Sequence, residues 1–182
     1  MAREGKMSGP HQILVLRSLP GCSGCRICEI VCSMYHEKTV NPDKSRIRVY
    51  QAGIGPIDIP IVCQYCDDRP CIAACPYDVL TYNEQTFTIR VDADRCLGKT
   101  ACGICYQACV SNGRGGCITF NPVTEKAQIC DLCDGDAECT KYCPSDTLKL
   151  VPASPMAKRM AKPVEVFAER LSEQFWPAKE TV

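Results

Sequence analysis

Four cysteine quartets, each ending in the interval x3, constrain this chain more than any other feature. They take 16 of its 17 cysteines. The first is Cys22, Cys25, Cys28 and Cys32, spaced C-x2-C-x2-C-x3-C. The second is Cys63, Cys66, Cys71 and Cys75, spaced C-x2-C-x4-C-x3-C and followed by Pro76. The third is Cys96, Cys102, Cys105 and Cys109, spaced C-x5-C-x2-C-x3-C. The fourth is Cys130, Cys133, Cys139 and Cys143, spaced C-x2-C-x5-C-x3-C and followed by Pro144. Cys117 is left over. An odd count excludes complete internal disulfide pairing.

Residues four apart share a helical face, so the x3 interval puts the third and fourth thiols on one short turn of helix. Three thiols on a tight loop grip three corners of an iron–sulfur cubane, and the fourth is carried off towards a second cluster. Zinc is the alternative, because four ions would also use 16 thiolates. Zinc sites, however, take two separated pairs. Three close thiols plus one at x3, four times over, fit cubanes better.

The N-terminal stretch bears on the compartment. Met1 to Leu19 holds one short apolar run, Ile13–Leu16, against the roughly 7–15 apolar residues of a signal peptide. No twin-arginine pair precedes it. No apolar segment approaches the roughly 20 residues of a membrane span. The chain therefore reads as cytoplasmic, where thiols stay reduced and dense cysteines read as metal ligands. Lys and Arg number 21, as do Asp and Glu. That balance argues against a nucleic-acid binder that neutralises phosphates and gives no reason to expect an acidic membrane surface. With four Phe, seven Tyr and one Trp beside 12 Gly and 13 Pro, the chain is short of large core residues. Clusters would help fill the core, and their binding free energy then becomes folding free energy.

Between the quartets lie short strand-like runs. Ile13–Leu16 precedes the first and Thr147–Val151 follows the fourth. Arg46–Tyr50 alternates Ile47 and Val49. Val79–Tyr82 and Phe87–Val91 flank a polar turn at Asn83-Glu84-Gln85. Cys117–Phe120 and Lys126–Ile129 read as a hairpin across Asn121-Pro122. The unit of cluster loop, short helix and strand pair recurs, which makes an internal repeat.

Other features read as structural. Residues 93–100, Ala-Asp-Arg-Cys-Leu-Gly-Lys-Thr, imitate a phosphate loop but begin with Ala93 where the strict motif has Gly. Lys99 either offsets cluster charge or is solvated. Asn112-Gly113-Arg114-Gly115-Gly116 reads as a tight turn, and Gly53 and Gly55 as turn residues. Asp67-Asp68-Arg69 reads as a solvated loop tip. His11 and His36 read as surface residues rather than ligands. No Ser/His/Asp or paired-carboxylate constellation stands out. Residues 152–182 contain no cysteine. Pro163 and Pro177 bracket an amphipathic helix at about 163–176, with Val164, Phe167, Leu171 and Phe175 on one face. That helix either packs on its own domain or clasps another subunit or another copy of the chain.

Pro76 and the lead-in Val91-Asp92-x-x-Arg95-Cys96 make the second and third quartets resemble a bacterial two-cluster ferredoxin. All four quartets together, over about residues 12–151, resemble the four-cluster electron-transfer subunits of the dimethyl-sulfoxide reductase type. The compact length resembles the small iron–sulfur subunit of tungsten-dependent aldehyde oxidoreductases. The resemblance implies an α+β, ferredoxin-like fold of two pseudo-symmetric two-cluster modules, one inserted in the other. The inner module covers about 60–110 and the outer 12–45 with 117–151. It implies four 4Fe–4S clusters: Cys22, Cys25, Cys28 with Cys143; Cys130, Cys133, Cys139 with Cys32; Cys63, Cys66, Cys71 with Cys109; and Cys96, Cys102, Cys105 with Cys75. The x5 interval departs from the family's x2, which leaves Cys117 as an alternative to Cys96. The implied role is a non-catalytic relay between a tungsten or molybdenum subunit and a second redox partner, such as a flavin subunit or a ferredoxin. A stand-alone polyferredoxin is the other reading in this class. Four such clusters with their thiolates would bring the neutral chain to about −8, with Arg26, Arg95, Lys99 and Lys141 as candidate compensators.

Overall fold

Among the described residues every strand pairs with a single other strand. The computed structural model describes residues 11–15, 21–51, 58–113 and 116–152. In chain order the elements are β1 (His11–Val15), α1 (Ile27–Glu37), β2 (Arg48–Gln51), β3 (Asp58–Ile61), α2 (Pro70–Ala73), β4 (Leu80–Asn83), β5 (Thr88–Val91), α3 (Ile104–Ser111), β6 (Thr119–Phe120), β7 (Ala127–Gln128), α4 (Glu138–Lys141) and β8 (Leu148–Pro152). The strands form antiparallel pairs β1–β8, β2–β3, β4–β5 and β6–β7. The fold is thus α+β with short strands and short helices, compatible with a ferredoxin-like architecture.

The hairpins follow from their turn residues. Asn83 Oδ1 accepts the N–H of Gln85 at 2.9 Å and of Thr86 at 3.1 Å, which sets Leu80 opposite Val91 and Asn83 opposite Thr88. Asn121 Oδ1 does the same for Val123 and Thr124. These are side-chain-closed turns of the kind asparagine favours. The second hairpin is shorter than the alternation suggests, with strands only at 119–120 and 127–128. Upstream of it, the N–H groups of Gly116, Cys117 and Ile118 turn to the Cys109 sulfur. β3 was not legible, because Pro60 interrupts its pattern. A two-stranded ladder has only edges, where proline is tolerated, and Pro60 lies opposite Val49.

β1 and β8 bring the two ends of the described chain together, with Val15 opposite Leu148. α1 packs on α4, and α2 on α3. The first quartet's helix is thereby joined to the fourth's, and the second's to the third's. Glu29, buried in α1, accepts the Val49 N–H at 2.7 Å and ties that helix to β2. Ten of the 23 buried residues of the hydrophobic core are cysteines. Among the described residues no helix is long and apolar enough to cross a membrane. The amphipathic helix expected at about 163–176, with the rest of the tail, lies outside the described residues. So do Gly53 and Gly55, Leu16, and Arg114 and Gly115 of the glycine-rich turn.

Candidate metal centres

The four cysteine loops share one backbone pattern. The residue two after each first cysteine has positive φ: Gly24 at 70°, Tyr65 at 48°, Gly98 at 88° and Leu132 at 58°. So does the residue two before each third cysteine: Arg26 at 58°, Arg69 at 40°, Gly103 at 66° and Ala137 at 22°. Each third cysteine (Cys28, Cys71, Cys105 and Cys139) is then the second residue of its helix. Left-handed residues turn neighbouring N–H groups towards one side and make an anion-binding concavity. Here the anion would be thiolate sulfur. Gly24 N–H donates to Cys22 Sγ at 3.4 Å, Tyr65 N–H to Cys63 and Leu132 N–H to Cys130. Arg46 N–H reaches Cys32 Sγ at 3.2 Å.

The long interval in the third quartet does not displace Cys96. The extra residues fold into a turn, with the N–H groups of Cys102 and Gly103 on the Gly98 carbonyl at 3.1 and 3.3 Å. Gly98 is pinned against the neighbouring loop, since a Cβ there would lie 3.0 Å from the Glu125 carbonyl oxygen. Gly98→Val should therefore lose about a quarter of the iron bound per chain, because it adds a branched side chain at φ 88° against backbone. Iron analysis checks this; full iron in the variant would show that the loop gives way.

The fold draws each fourth thiol to a different quartet's first three. One cavity is lined by Cys75, Cys96, Cys102 and Cys105, with Pro76, Leu97, Ile104 and Phe120 in its wall. Another is lined by Cys32, Cys130, Cys133 and Cys139, with Leu132 and Ala137. Cys22 feels the charges of Cys25 and Cys143, and Cys28 those of Cys22 and Cys25. Cys71 feels Cys109 and Cys66, and Cys63 feels Cys71 and Cys66. Cys117 is buried away from the Cys96 cavity. It is hydrogen-bonded to Cys109 and feels Cys63 and Cys66. It stands beside the Cys63 group.

The donor set tests the metal chemistry. Tetrahedral zinc with sulfur at about 2.3 Å would draw its thiolates to about 3.8 Å of one another. Among the described residues, His36, Asp131 and Cys133 are the one trio whose ligand atoms all lie within 4.8 Å. All-thiolate quartets with N–H groups aimed at sulfur suit iron–sulfur clusters. Burial pushes the thiols of Cys28, Cys105 and Cys130 up to about 12 and that of Cys71 to about 11. Cys109 is the exception: the Cys117 hydrogen bond and the backbone N–H groups around it hold it down to about 7. Loading metal on the buried thiols must therefore displace protons. Among the described residues no cysteine is paired in a disulfide.

Several neighbouring groups differ from their sequence reading. His36 is not a surface residue: its side chain is 8% exposed, with Nε2 3.3 Å from Asp131 Oδ1 and 3.8 Å from Cys133 Sγ. Burial and the Arg46 guanidinium hold the imidazole below its usual value. Arg46 also pairs with Asp131 Oδ2 at 2.6 Å. The Cys130 quartet is thus wrapped by a polar network that no spacing rule announced. Of the expected compensators, Lys141 is engaged by Asp136 at 2.6 Å and Glu138 at 3.0 Å. Arg95 donates to the Tyr77 carbonyl, Arg26 faces Glu29, and Lys99 is exposed. Arg46, and Lys126, which donates to the Cys96 carbonyl, are the cations placed against cysteines. Asp67 and Asp68 are exposed, while Arg69 lies over the Tyr82 ring, 3.6 Å from its centroid. In the loop resembling a phosphate cradle, the N–H groups of Asp94 and Arg95 go to Asp92, and that of Lys99 to Glu125.

The fold and these thiol cages define an iron–sulfur electron-transfer protein. No family model matches the chain. It is 35% identical over 163 residues, 84% of its length and 86% of the relative's, to the aliphatic sulfonate oxidoreductase, polyferredoxin-like subunit of Pyrococcus furiosus. It is 29% identical over 154 residues, 76% of its length and 75% of the relative's, to the thiosulfate reductase electron transfer subunit PhsB of Salmonella typhi. It is 29% identical over 156 residues, 76% of its length and 72% of the relative's, to the B subunit of the anaerobic dimethyl sulfoxide reductase of Escherichia coli. The chain belongs to the iron–sulfur electron-transfer subunits of dimethyl-sulfoxide reductase-type enzymes. It is a non-catalytic electron-transfer subunit.

Proposed function

We propose that the chain holds four 4Fe–4S clusters and relays electrons between a catalytic subunit with a tungsten or molybdenum cofactor and a second redox partner, a flavin subunit or a ferredoxin. Cluster 1 would be held by Cys22, Cys25, Cys28 and Cys143, and cluster 2 by Cys130, Cys133, Cys139 and Cys32. Cluster 3 would be held by Cys63, Cys66, Cys71 and Cys109, and cluster 4 by Cys96, Cys102, Cys105 and Cys75. Each cubane supplies one-electron redox chemistry when bound. The observation that carries the reading is the pair of cavities, each walled by four cysteines drawn from two different quartets.

The packing of α1 on α4 and of α2 on α3 supports an outer and an inner two-cluster module. The nearness of Cys139 to Cys28, of Cys63 to Cys130 and of Cys105 to Cys71 supports a linear order of the sets, 1–2–3–4. The end sets are the more open: Cys25 is exposed, and Cys22, Cys143, Cys75 and Cys102 are partly so, whereas all four thiols of set 2 are buried. Partners would dock at the two ends, and residues 152–182 would clasp one of them or a second copy of this chain. The density of free thiols fits the cytoplasm.

The test is elemental analysis after anaerobic purification. Iron and acid-labile sulfide near 16 each per chain are expected. A colourless preparation carrying only zinc would sink the reading.

A further inference from the structure

Tyr65 occupies the position two after Cys63, where the other quartets carry Gly24, Gly98 and Leu132. Its φ of 48° lies in the region that disfavours a bulky side chain. Such strain persists where the surroundings hold it, and it clusters at functional positions. The ring is not there for want of a smaller residue, since two equivalent loops use glycine. Tyr65 is 9% exposed, and both of its polar ends are used. Its N–H donates to the Cys63 sulfur. Its hydroxyl donates to the Cys130 carbonyl oxygen at 2.7 Å. Cys63 stands in the inner set and Cys130 in the outer, so one residue touches a cysteine on each side of the boundary between the two helix pairs.

We infer that Tyr65 is the bridge over which an electron crosses between the Cys63 set and the Cys130 set, a reading that rests on the four-cluster assignment above. From the Cys63 sulfur the path runs through the Tyr65 N–H, its Cα and Cβ, the ring and the hydroxyl to the Cys130 carbonyl, and on through the Cys130 backbone and Cβ to its sulfur. Bonds and hydrogen bonds couple better than a gap of equal length. One electron would leave the reduced set and enter the oxidised one. Tyr65 is itself neither oxidised nor reduced, no bond forms or breaks, and no proton moves.

Tyr65→Phe removes the hydroxyl and keeps the ring, and the full chain is compared with wild type after iron analysis. Midpoint potentials come from titrations followed by electron paramagnetic resonance, with the Cys130 signal identified by its loss in Cys130→Ser. Transfer between the sets is timed by freeze-quench after mixing with dithionite. The expected result is full iron, unchanged midpoint potentials and slower transfer between the sets. Unchanged transfer in fully loaded Tyr65→Phe would overturn the inference. Loss of iron in Tyr65→Phe would overturn it too, by making the hydroxyl a structural prop. Wild-type iron far below about 16 would instead refute the four-cluster reading itself.

Discussion

Cys96→Ser should lower iron from about 16 to about 12 per chain, while Cys117→Ser leaves it near 16. The contrast follows from where the two thiols stand. Cys96 lines the cavity that also holds Cys75, Cys102 and Cys105. Cys117 lies against Cys109. A serine hydroxyl is a poor substitute for a thiolate, so replacing a ligand empties one site of four. Replacing Cys117 removes only a hydrogen bond to a sulfur that also takes the backbone N–H groups of Gly116, Cys117 and Ile118. Cys109 should therefore still bind. The measurement is paired iron and sulfide analysis of both variants. A loss of four irons in Cys117→Ser with none in Cys96→Ser would reverse the assignment.

Stripping the iron should abolish cooperative unfolding altogether. The described strands occur only as two-stranded ladders, and a lone two-stranded hairpin is marginally stable at best. The helices are as short as four residues in α2 and α4. What these pieces pack against is largely thiol, since ten of the 23 core residues are cysteine. The largest fully buried apolar side chains are few: Ile47, Leu132, Leu148 and Val62. A structural metal contributes on the order of 10 kcal/mol, as much as the whole stability of a typical domain at about 5–15 kcal/mol. Removal by chelation after oxidation should leave a chain without near-ultraviolet circular dichroism and without a sharp calorimetric transition. A transition in the stripped chain within a few degrees of the loaded one would show that the polypeptide folds on its own.

Much of the site was legible before the fold. The x3 interval places the third and fourth thiols on a helix in the first and third quartets, because helical periodicity is local; in the second and fourth, α2 and α4 end two residues before Cys75 and Cys143. Asn83 and Asn121 announce their turns for the same reason. β3 was not legible, because Pro60 breaks the alternation and only pairing with β2 makes the segment a strand. The burial of His36 was not legible either, because nothing in its neighbourhood of sequence signals it; Asp131, Cys133 and Arg46 reach it from distant segments.

By itself the sequence determined the chemistry: 16 thiols in four quartets, an odd one over, and too few large apolar residues for an ordinary core. Ligand spacing and helical period are local properties, so they survive without knowledge of the fold. Tertiary structure decided which quartets share a cage, that Cys117 stands by Cys109 rather than by Cys96, and that Tyr65 spans the two helix pairs. Those facts depend on how distant segments pack, and packing is set by the whole chain closing around its thiol core.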